Sequence, residues 1–323
     1  MFASRRLAPR EPLPDIAIHA RGLRKTYGRG ENAKQALKGI DLAVPRGSFF
    51  GLLGPNGAGK STFINILAGL VVKTEGEVAV WSFDIDERPR SARSAIGVVP
   101  QELNIDAFFT PREMMEFQAG LYGVPKAQRR TDEILAAMHL TEKADSYSRS
   151  LSGGMRRRML VGKAMAHSPP ILVLDEPTAG VDVELRQQLW DYVRGLNEAG
   201  VTVVLTTHYL EEAQALCDRI AIINHGEVVA CDETPALIAR IDSKVMLLRL
   251  AAPLAAVPPE LAGLEAKLID PNRLSLRYRP STTSADHLLA RIREAGLELA
   301  DLSTVDASLE DIFLDLTASG NGA

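Results

Sequence analysis

Residues 54–61 read Gly-Pro-Asn-Gly-Ala-Gly-Lys-Ser, and this octapeptide constrains the fold more than any other part of the chain. Before it, Gly47-Ser-Phe-Phe-Gly-Leu-Leu53 is short, largely apolar and bounded by glycines, as a buried strand is. After it, Thr62-Phe-Ile-Asn-Ile-Leu-Ala-Gly-Leu70 is apolar at helical spacing. Strand, glycine loop and helix in that order predict an α/β unit built around a phosphate-binding loop. The glycines let backbone N–H groups turn inward around an anion, and the following helix adds the positive end of its dipole. Lys60 then reaches the outer phosphates and the Ser61 hydroxyl ligates Mg²⁺. The candidate phosphate contacts are Gly54, Pro55, Asn56, Gly57, Ala58, Gly59, Lys60, Ser61 and Thr62. The plainer alternative is a glycine-rich turn feeding a helix.

At 323 residues there is room for one large domain and one small one. A net charge of −4 excludes bulk attraction to nucleic acid or anionic lipid. The two cysteines, Cys217 and Cys231, suit a reducing compartment. No stretch approaches the roughly 18 uninterrupted apolar residues of a membrane-spanning helix. The first residues carry arginines with no apolar run behind them, so residues 1–15 are expected to be a disordered leader and not a secretory signal.

Strand patterns are expected over 16–27, 36–44, 77–81 and 96–100. Residues 102–150 then turn helical: Pro111 to Tyr122 predicts a helix capped by Thr110, and Lys126 to His139 a second one. From Leu151 an α/β rhythm returns, with helices opening at Ser152, Val183 and Tyr209 between strands at 171–174, 201–206, 220–223 and 227–231. Interleaving of this kind predicts a mostly parallel sheet covered on both faces. Residues 240–323 read as a small α+β appendage, with strands at 245–250, 266–269 and 273–278 and helices at 284–294 and 309–316.

Leu174-Asp175-Glu176 ends a buried strand, which puts two carboxylates at the lip of the sheet where open α/β folds bind ligands. One carboxylate suits the Mg²⁺ shell (Asp175) and the other the polarisation of an attacking water (Glu176). His208 follows the strand 201–206 and is placed to meet a γ-phosphate, and Gln101 after strand 96–100 is placed to reach Mg²⁺ and the water. Tyr27 at a strand end is a candidate for stacking on a base. Ser152-Gly153-Gly154 forms a second glycine-flanked helix start suited to a phosphate, followed by Arg156, Arg157, Arg158 and Lys163. Taken alone, those four cations read as the solvated face of a capped helix. Two phosphate-seeking helix starts in one chain suggest two chains arranged head to tail, each covering the nucleotide of the other.

The ordered series Tyr27, Gly54 to Ser61, Gln101, Leu151-Ser-Gly-Gly154, Leu172-Val-Leu-Asp-Glu-Pro177, Gly180-Val-Asp182 and His208 resembles the nucleotide-binding subunits of ATP-binding cassette (ABC) transporters across residues 16–237. The resemblance implies a phosphate-loop ATPase fold with a helical subdomain at about 102–150 that meets a membrane subunit. It implies ATP and Mg²⁺ as cofactors, with Tyr27 on adenine, Ser61, Gln101 and Asp175 around the metal, Glu176 as general base and His208 sensing the γ-phosphate. Ser152, Gly153 and Gly154 would face the partner chain's ATP, and Asp182 would lie in the loop joining the two sites. The implied partners are a second copy of the chain and separately encoded permease subunits, at the inner face of the cell membrane, with no nucleic acid.

One position departs from the pattern: Met155 stands where the signature usually continues with Gln. The run Met155-Arg-Arg-Arg158 and the tail Ser308 to Thr317 look like the branch that exports drugs, lipids or polysaccharides. The alternatives are a soluble ABC protein acting on ribosomes or DNA, a non-hydrolysing module, and an importer ATPase. A single phosphate loop without sustained heptads counts against the first, and intact Lys60, Asp175, Glu176 and His208 against the second.

Overall fold

The computed structural model describes residues 13–306 except 103, 179–182, 241–243 and 262–263, together with 309, 310, 312 and 313. The chain divides after Thr234 into two compact units.

In chain order the first unit contains β1 (Ile16–Tyr27), β2 (Lys34–Pro45), β3 (Phe49–Leu53), α1 (Lys60–Leu67), β4 (Glu75–Val80), β5 (Phe83–Asp84), α2 (Pro89–Ser94) and β6 (Ile96–Val99). There follow α3 (Pro111–Leu121), α4 (Thr131–Ala137), α5 (Gly153–Met165), β7 (Ile171–Asp175), α6 (Val183–Glu198), β8 (Thr202–Thr206), α7 (Leu210–Leu216), β9 (Arg219–Asn224) and β10 (Glu227–Glu233). Two sheets form, not one. The order β2-β1-β4-β5 is antiparallel throughout, and β10-β9-β3-β8-β7-β6 is parallel from β9 to β6 with β10 antiparallel at its edge.

The parallel strands explain the sequence pattern directly. β3, β7 and β8 are buried along their whole length, which is why they read as continuous apolar runs without alternation. β1 and β2 alternate because one face is solvated. Phe50 and Phe63, on β3 and α1, are fully buried in the core between the two sheets, each contributing about 2 kcal/mol of apolar burial. The core depends on close backbone approach at Gly97, where an added Cβ would lie 2.4 Å from the Ala164 carbonyl oxygen of α5.

Thr110 caps α3 in a reciprocal box with Glu113, with Pro111 in the first turn, as the sequence predicts. The single helix expected over 126–139 is instead a 3₁₀ turn at Lys126–Gln128 followed by α4. Arg129 between them is extended, held by its bonds to the Val124 carbonyl and the Glu116 carboxylate. α2 escapes the sequence reading because its six residues, Pro-Arg-Ser-Ala-Arg-Ser, bury only Ala92.

A half-buried histidine should make this unit acid-sensitive. His167 stacks on Tyr122 at 3.8 Å, its Nε2 lies 3.3 Å from the Ile96 carbonyl oxygen, and burial lowers its pKa to about 4. The folded chain therefore binds the proton less well than the unfolded chain, in which histidine titrates near 6.5. The stability this neutral histidine confers is complete above pH 6.5 and is lost as pH falls toward 4, amounting to about 2 kcal/mol between pH 7 and 5. A His167→Phe variant keeps the ring stack and loses that component, so its melting temperature should fall less than the wild type's over the same pH interval. Parallel pH–melting curves would remove the assignment.

α8 (Thr234–Ala239) begins at the boundary between units. The second unit holds β11 (Lys244–Leu250), β12 (Glu265–Asp270), β13 (Arg273–Tyr278), α9 (Ala285–Glu294) and β14 (Leu299–Asp306). Its antiparallel sheet, β12-β13-β11-β14, and α9 share a core of Met246, Leu248, Leu274, Leu276, Leu288 and Ile292. β14 leaves no strand pattern in the sequence, since its positions 300–305, Asp301 among them, are all exposed. Of the helix expected over 309–316, residues 309, 310, 312 and 313 are described and are helical, and the others lie outside the described residues. Among the described residues no helix is long and apolar enough to cross a membrane.

Candidate active site

One edge of the six-stranded sheet gathers the chemistry. The C-terminal ends of β3, β6, β7 and β8 lead into Gly54, Pro100-Gln101, Glu176 and Thr207-His208, and pairing of Asp175 with Thr206 fixes the two middle strands in register. Parallel neighbours must present their C-terminal ends together, so the topology alone places these residues around one crevice.

The loop 54–59 owes its shape to glycines used in two ways. Gly54 has φ +156° and a Cβ there would sit 2.1 Å from the Ile223 carbonyl oxygen. Gly59 has φ +114° and a Cβ there would meet Leu37 and the Ala36 carbonyl within 2.8 Å. Gly57, at φ +79°, has open space and is needed for its dihedral alone. The β9–β10 turn braces the loop from outside: the Gly226 N–H donates to the Ala58 carbonyl at 2.9 Å, and the Lys38 N–H donates to the Gly226 carbonyl at 2.8 Å. That brace was not read from the sequence, in which His225-Gly226 marks only a hairpin turn.

Lys60 opens α1, is only 7% exposed, and donates from Nζ to the carbonyls of Gly54 at 2.6 Å and Pro55 at 3.1 Å. Burial lowers its pKa, and the nearby charges of Glu176 and Asp175 act in the opposite sense. Ser61 beside it is exposed and Thr62 half-buried. Tyr27 is 41% exposed, its hydroxyl 3.5 Å from Thr62 Oγ1, and Lys25 Nζ lies 4.8 Å from its ring centre. The tyrosine therefore stands beside the loop with part of its ring open.

Glu176 is the meeting point of the opposite wall. Its Oε2 accepts from Gln101 Nε2 at 3.0 Å and lies 3.3 Å from His208 Nδ1. Its backbone sits at φ +47°, a left-handed conformation that strains a non-glycine residue by about 1 kcal/mol or more. The Glu176 N–H is anchored to both the carbonyl and the hydroxyl of Thr206, each at 3.1 Å. That same hydroxyl donates to Asp175 Oδ1 at 2.5 Å, so one threonine holds the Asp175 carboxylate and the Glu176 backbone together. Asp175 is 8% exposed, while His208 is half-exposed.

Ser152 caps α5, accepting from the Met155 N–H at 3.2 Å, and both Ser152 and Gly153 are exposed. The cap does not require the Gln that Met155 replaces. The cations that follow are not a solvated face. Arg157 and Arg158 are buried, with Arg157 donating to the carbonyls of Pro100 and Gln101 and Arg158 to that of Met138. The signal was present in the sequence: Met159-Leu-Val-Gly162 is apolar on every helical face, so arginines one turn earlier had to find internal acceptors. Asp182 lies outside the described residues.

Within 13–234 the structure thus brings together the phosphate loop, Lys60, Gln101, Asp175, Glu176 and His208, with Tyr27 beside the loop and Ser152–Gly154 at an exposed helix start. The donors Ser61 Oγ, Asp175 carboxylate and Gln101 amide are hard oxygens of the type Mg²⁺ takes. Among the described residues no group of three or more His, Cys, Asp or Glu forms a metal cage. A Mg²⁺ held through substrate phosphates needs none. Fold and site together define a phosphate-loop ATPase.

The comparisons agree and narrow the class. The family model described as ABC transporter matches residues 37–179. The linearmycin resistance ATP-binding protein LnrL of Bacillus subtilis (strain 168) is 36% identical over 309 residues, covering 93% of this chain and 98% of that protein. The daunorubicin/doxorubicin resistance ATP-binding protein DrrA of Streptomyces peucetius is 38% identical over 94% of this chain and 93% of its own. The Nod factor export ATP-binding protein I of Rhizobium sp. (strain N33) is 36% identical over 94% and 97%. Among solved structures, the dimeric post-hydrolysis state of the cassette MJ0796 bound to ADP and Pi superposes with a TM-score of 0.62 at 31% identity, covering 67% of this chain and 98% of that one. The chain belongs to the ABC transporter family and is an ATPase subunit of its exporter type.

Proposed function

We propose that two copies of this chain close over two ATP molecules and, by hydrolysing them, drive export through separate permease subunits. The observation that carries the reading is the convergence of Gln101 and His208 on one oxygen of Glu176, across a crevice from the buried Lys60. Tyr27 stacks on adenine, residues 54–62 hold the phosphates through their N–H groups, and Lys60 neutralises the outer ones. Ser61, Asp175 and Gln101 hold Mg²⁺, which when bound offsets phosphate charge. Glu176 takes the proton of the attacking water, and His208 holds the γ-phosphate side of the site. Ser152, Gly153 and Gly154 offer an exposed helix start to the nucleotide of the second copy.

Support for a permease partner comes from residues 102–150. Phe108, Phe117, Leu121 and Tyr147 are each more than half exposed there, a density of bare apolar side chains that suits a protein contact. The relatives named for resistance and for export support an outward direction and a place at the inner face of the membrane.

Gly153→Asp tests the paired arrangement. Nothing lies within 4 Å of a Cβ at Gly153, and an acidic residue in the first turn of α5 favours the helix, so folding and ATP binding by the single chain should be unchanged. The new carboxylate repels the phosphates of the second copy, so ATP-dependent dimers seen by light scattering and steady-state hydrolysis should both be lost. A Gly153→Asp protein that stays monomeric yet turns over at full rate would refute the pairing.

A further inference from the structure

We propose that Arg157 is a positioning residue that ties the signature helix α5 to the backbones of Gln101 and Glu176 in its own chain. The idea rests on the proposed reading of Glu176 as base and of Gln101 as its neighbour at the phosphate. Arg157 is only 4% exposed. It donates from Nη1 to the Pro100 carbonyl at 2.9 Å and from Nη2 to the Gln101 carbonyl at 2.9 Å, with the Glu176 carbonyl at 3.4 Å from the same Nη2. These acceptors lie just beyond β6 and β7, so one side chain of α5 bridges the ends of two parallel strands.

Three observations lift this above an ordinary buried arginine. The acceptors are backbone carbonyls, so the cation fixes main chain and leaves both carboxylates available. Burial works against its charge, and the fields of Asp175 and Glu176 offset part of that cost. Glu176 is strained at φ +47°, with its N–H anchored by Thr206 and its carbonyl facing Arg157. A strained residue persists only where its surroundings hold it, and here the holding groups come from β8 on one side and α5 on the other.

The consequence is a mechanical link within one chain. α5 begins at the Ser152 cap that faces outward, and Arg157 lies just over one helical turn further on. A shift of the helix start when the second copy's nucleotide docks is passed through the guanidinium to Gln101 and Glu176. Closure at one site thereby adjusts the catalytic wall of the other. A lysine can replace this link only in part, since a point ammonium lacks the planar fork that spans separated acceptors.

The test uses the full chain, with phosphate release measured against Mg-ATP concentration and melting followed in parallel, for Arg157→Met, Arg157→Lys and, as reference, Glu176→Gln. Arg157→Met should lower kcat about tenfold to a hundredfold, as small misplacements of catalytic groups do, with KM for ATP within about threefold. Its melting temperature should stay within a few degrees, and Arg157→Lys should fall between it and the wild type. Wild-type kcat in a folded Arg157→Met overturns the proposal, and so does a loss that merely follows a lowered melting temperature. Where Arg157→Met does not fold, Arg157→Lys decides: wild-type kcat overturns, while a reduced kcat at unchanged KM and melting supports. An active Glu176→Gln defeats the base assignment separately, and a slowed Arg157→Met then supports the link through Gln101 alone.

Discussion

Glu176→Gln should lower the rate of ATP hydrolysis by about a hundredfold to ten-thousandfold, the range a positioned general base contributes. That is about 3–5 kcal/mol of transition-state free energy. The substitution keeps size and shape, and glutamine at φ +47° carries no more strain than glutamate. The anchors of the backbone N–H to Thr206 do not involve the side chain and remain. What disappears is the carboxylate oxygen to which Gln101 and His208 both point. In the proposed reading substrate binding depends on the loop and Lys60 on the other wall, so KM for ATP should change little, the signature of an interaction made in the transition state. With hydrolysis reopening the pair, as proposed above, the variant should accumulate as a nucleotide-bound dimer under light scattering. Hydrolysis within twofold of wild type, or failure to accumulate dimer, would remove Glu176 from the role of base.

The site was legible in the sequence wherever chemistry and topology both leave a local mark. A phosphate loop needs glycines at fixed offsets, and Gly54, Gly57 and Gly59 announce it. Carboxylates at the end of a continuous apolar run announce the lip of a parallel sheet, and Asp175 and Glu176 lie there. Contacts that join distant segments leave no such mark. That Thr206 holds both the Asp175 carboxylate and the Glu176 backbone, that Gly226 braces the loop, and that Arg157 reaches the carbonyls of Pro100 and Gln101 follow from strand order and helix docking.

The fold shows the same division. Buried strands β3, β7 and β8 were readable because burial on both faces forces an unbroken apolar run. The split into two sheets was not, since β1 and β2 show alternation in either arrangement. Short exposed elements such as α2 and β14 bury too little for periodicity to register. The arginines of α5 failed for a different reason: a charge run is usually solvated, and only the apolar surround of the next turn contradicts it here.

Lys60→Met should abolish turnover while leaving the fold intact, and the contrast between the two effects is the informative part. Methionine keeps the apolar stem inside the loop and removes the ammonium that is buried to 7% exposure. In the protein alone that ammonium contacts the Gly54 and Pro55 carbonyls, and its burial disfavours the charged form, so its removal costs little stability. The melting temperature should stay level or rise slightly. Toward phosphate the balance reverses, since a charge-assisted hydrogen bond in a site shielded from water contributes about 1.5–3 kcal/mol. Nucleotide affinity should therefore fall about tenfold to a hundredfold. Hydrolysis should fall further than binding, by at least about a hundredfold beyond the affinity loss, because phosphoryl oxygens gain their greatest need for a cation in the transition state. Calorimetric titration with ATP measures the first loss and phosphate release at saturating ATP the second. Equal losses in the two would mean that Lys60 binds ground state and transition state alike, and unchanged affinity would mean that the phosphates do not lie in the loop at all.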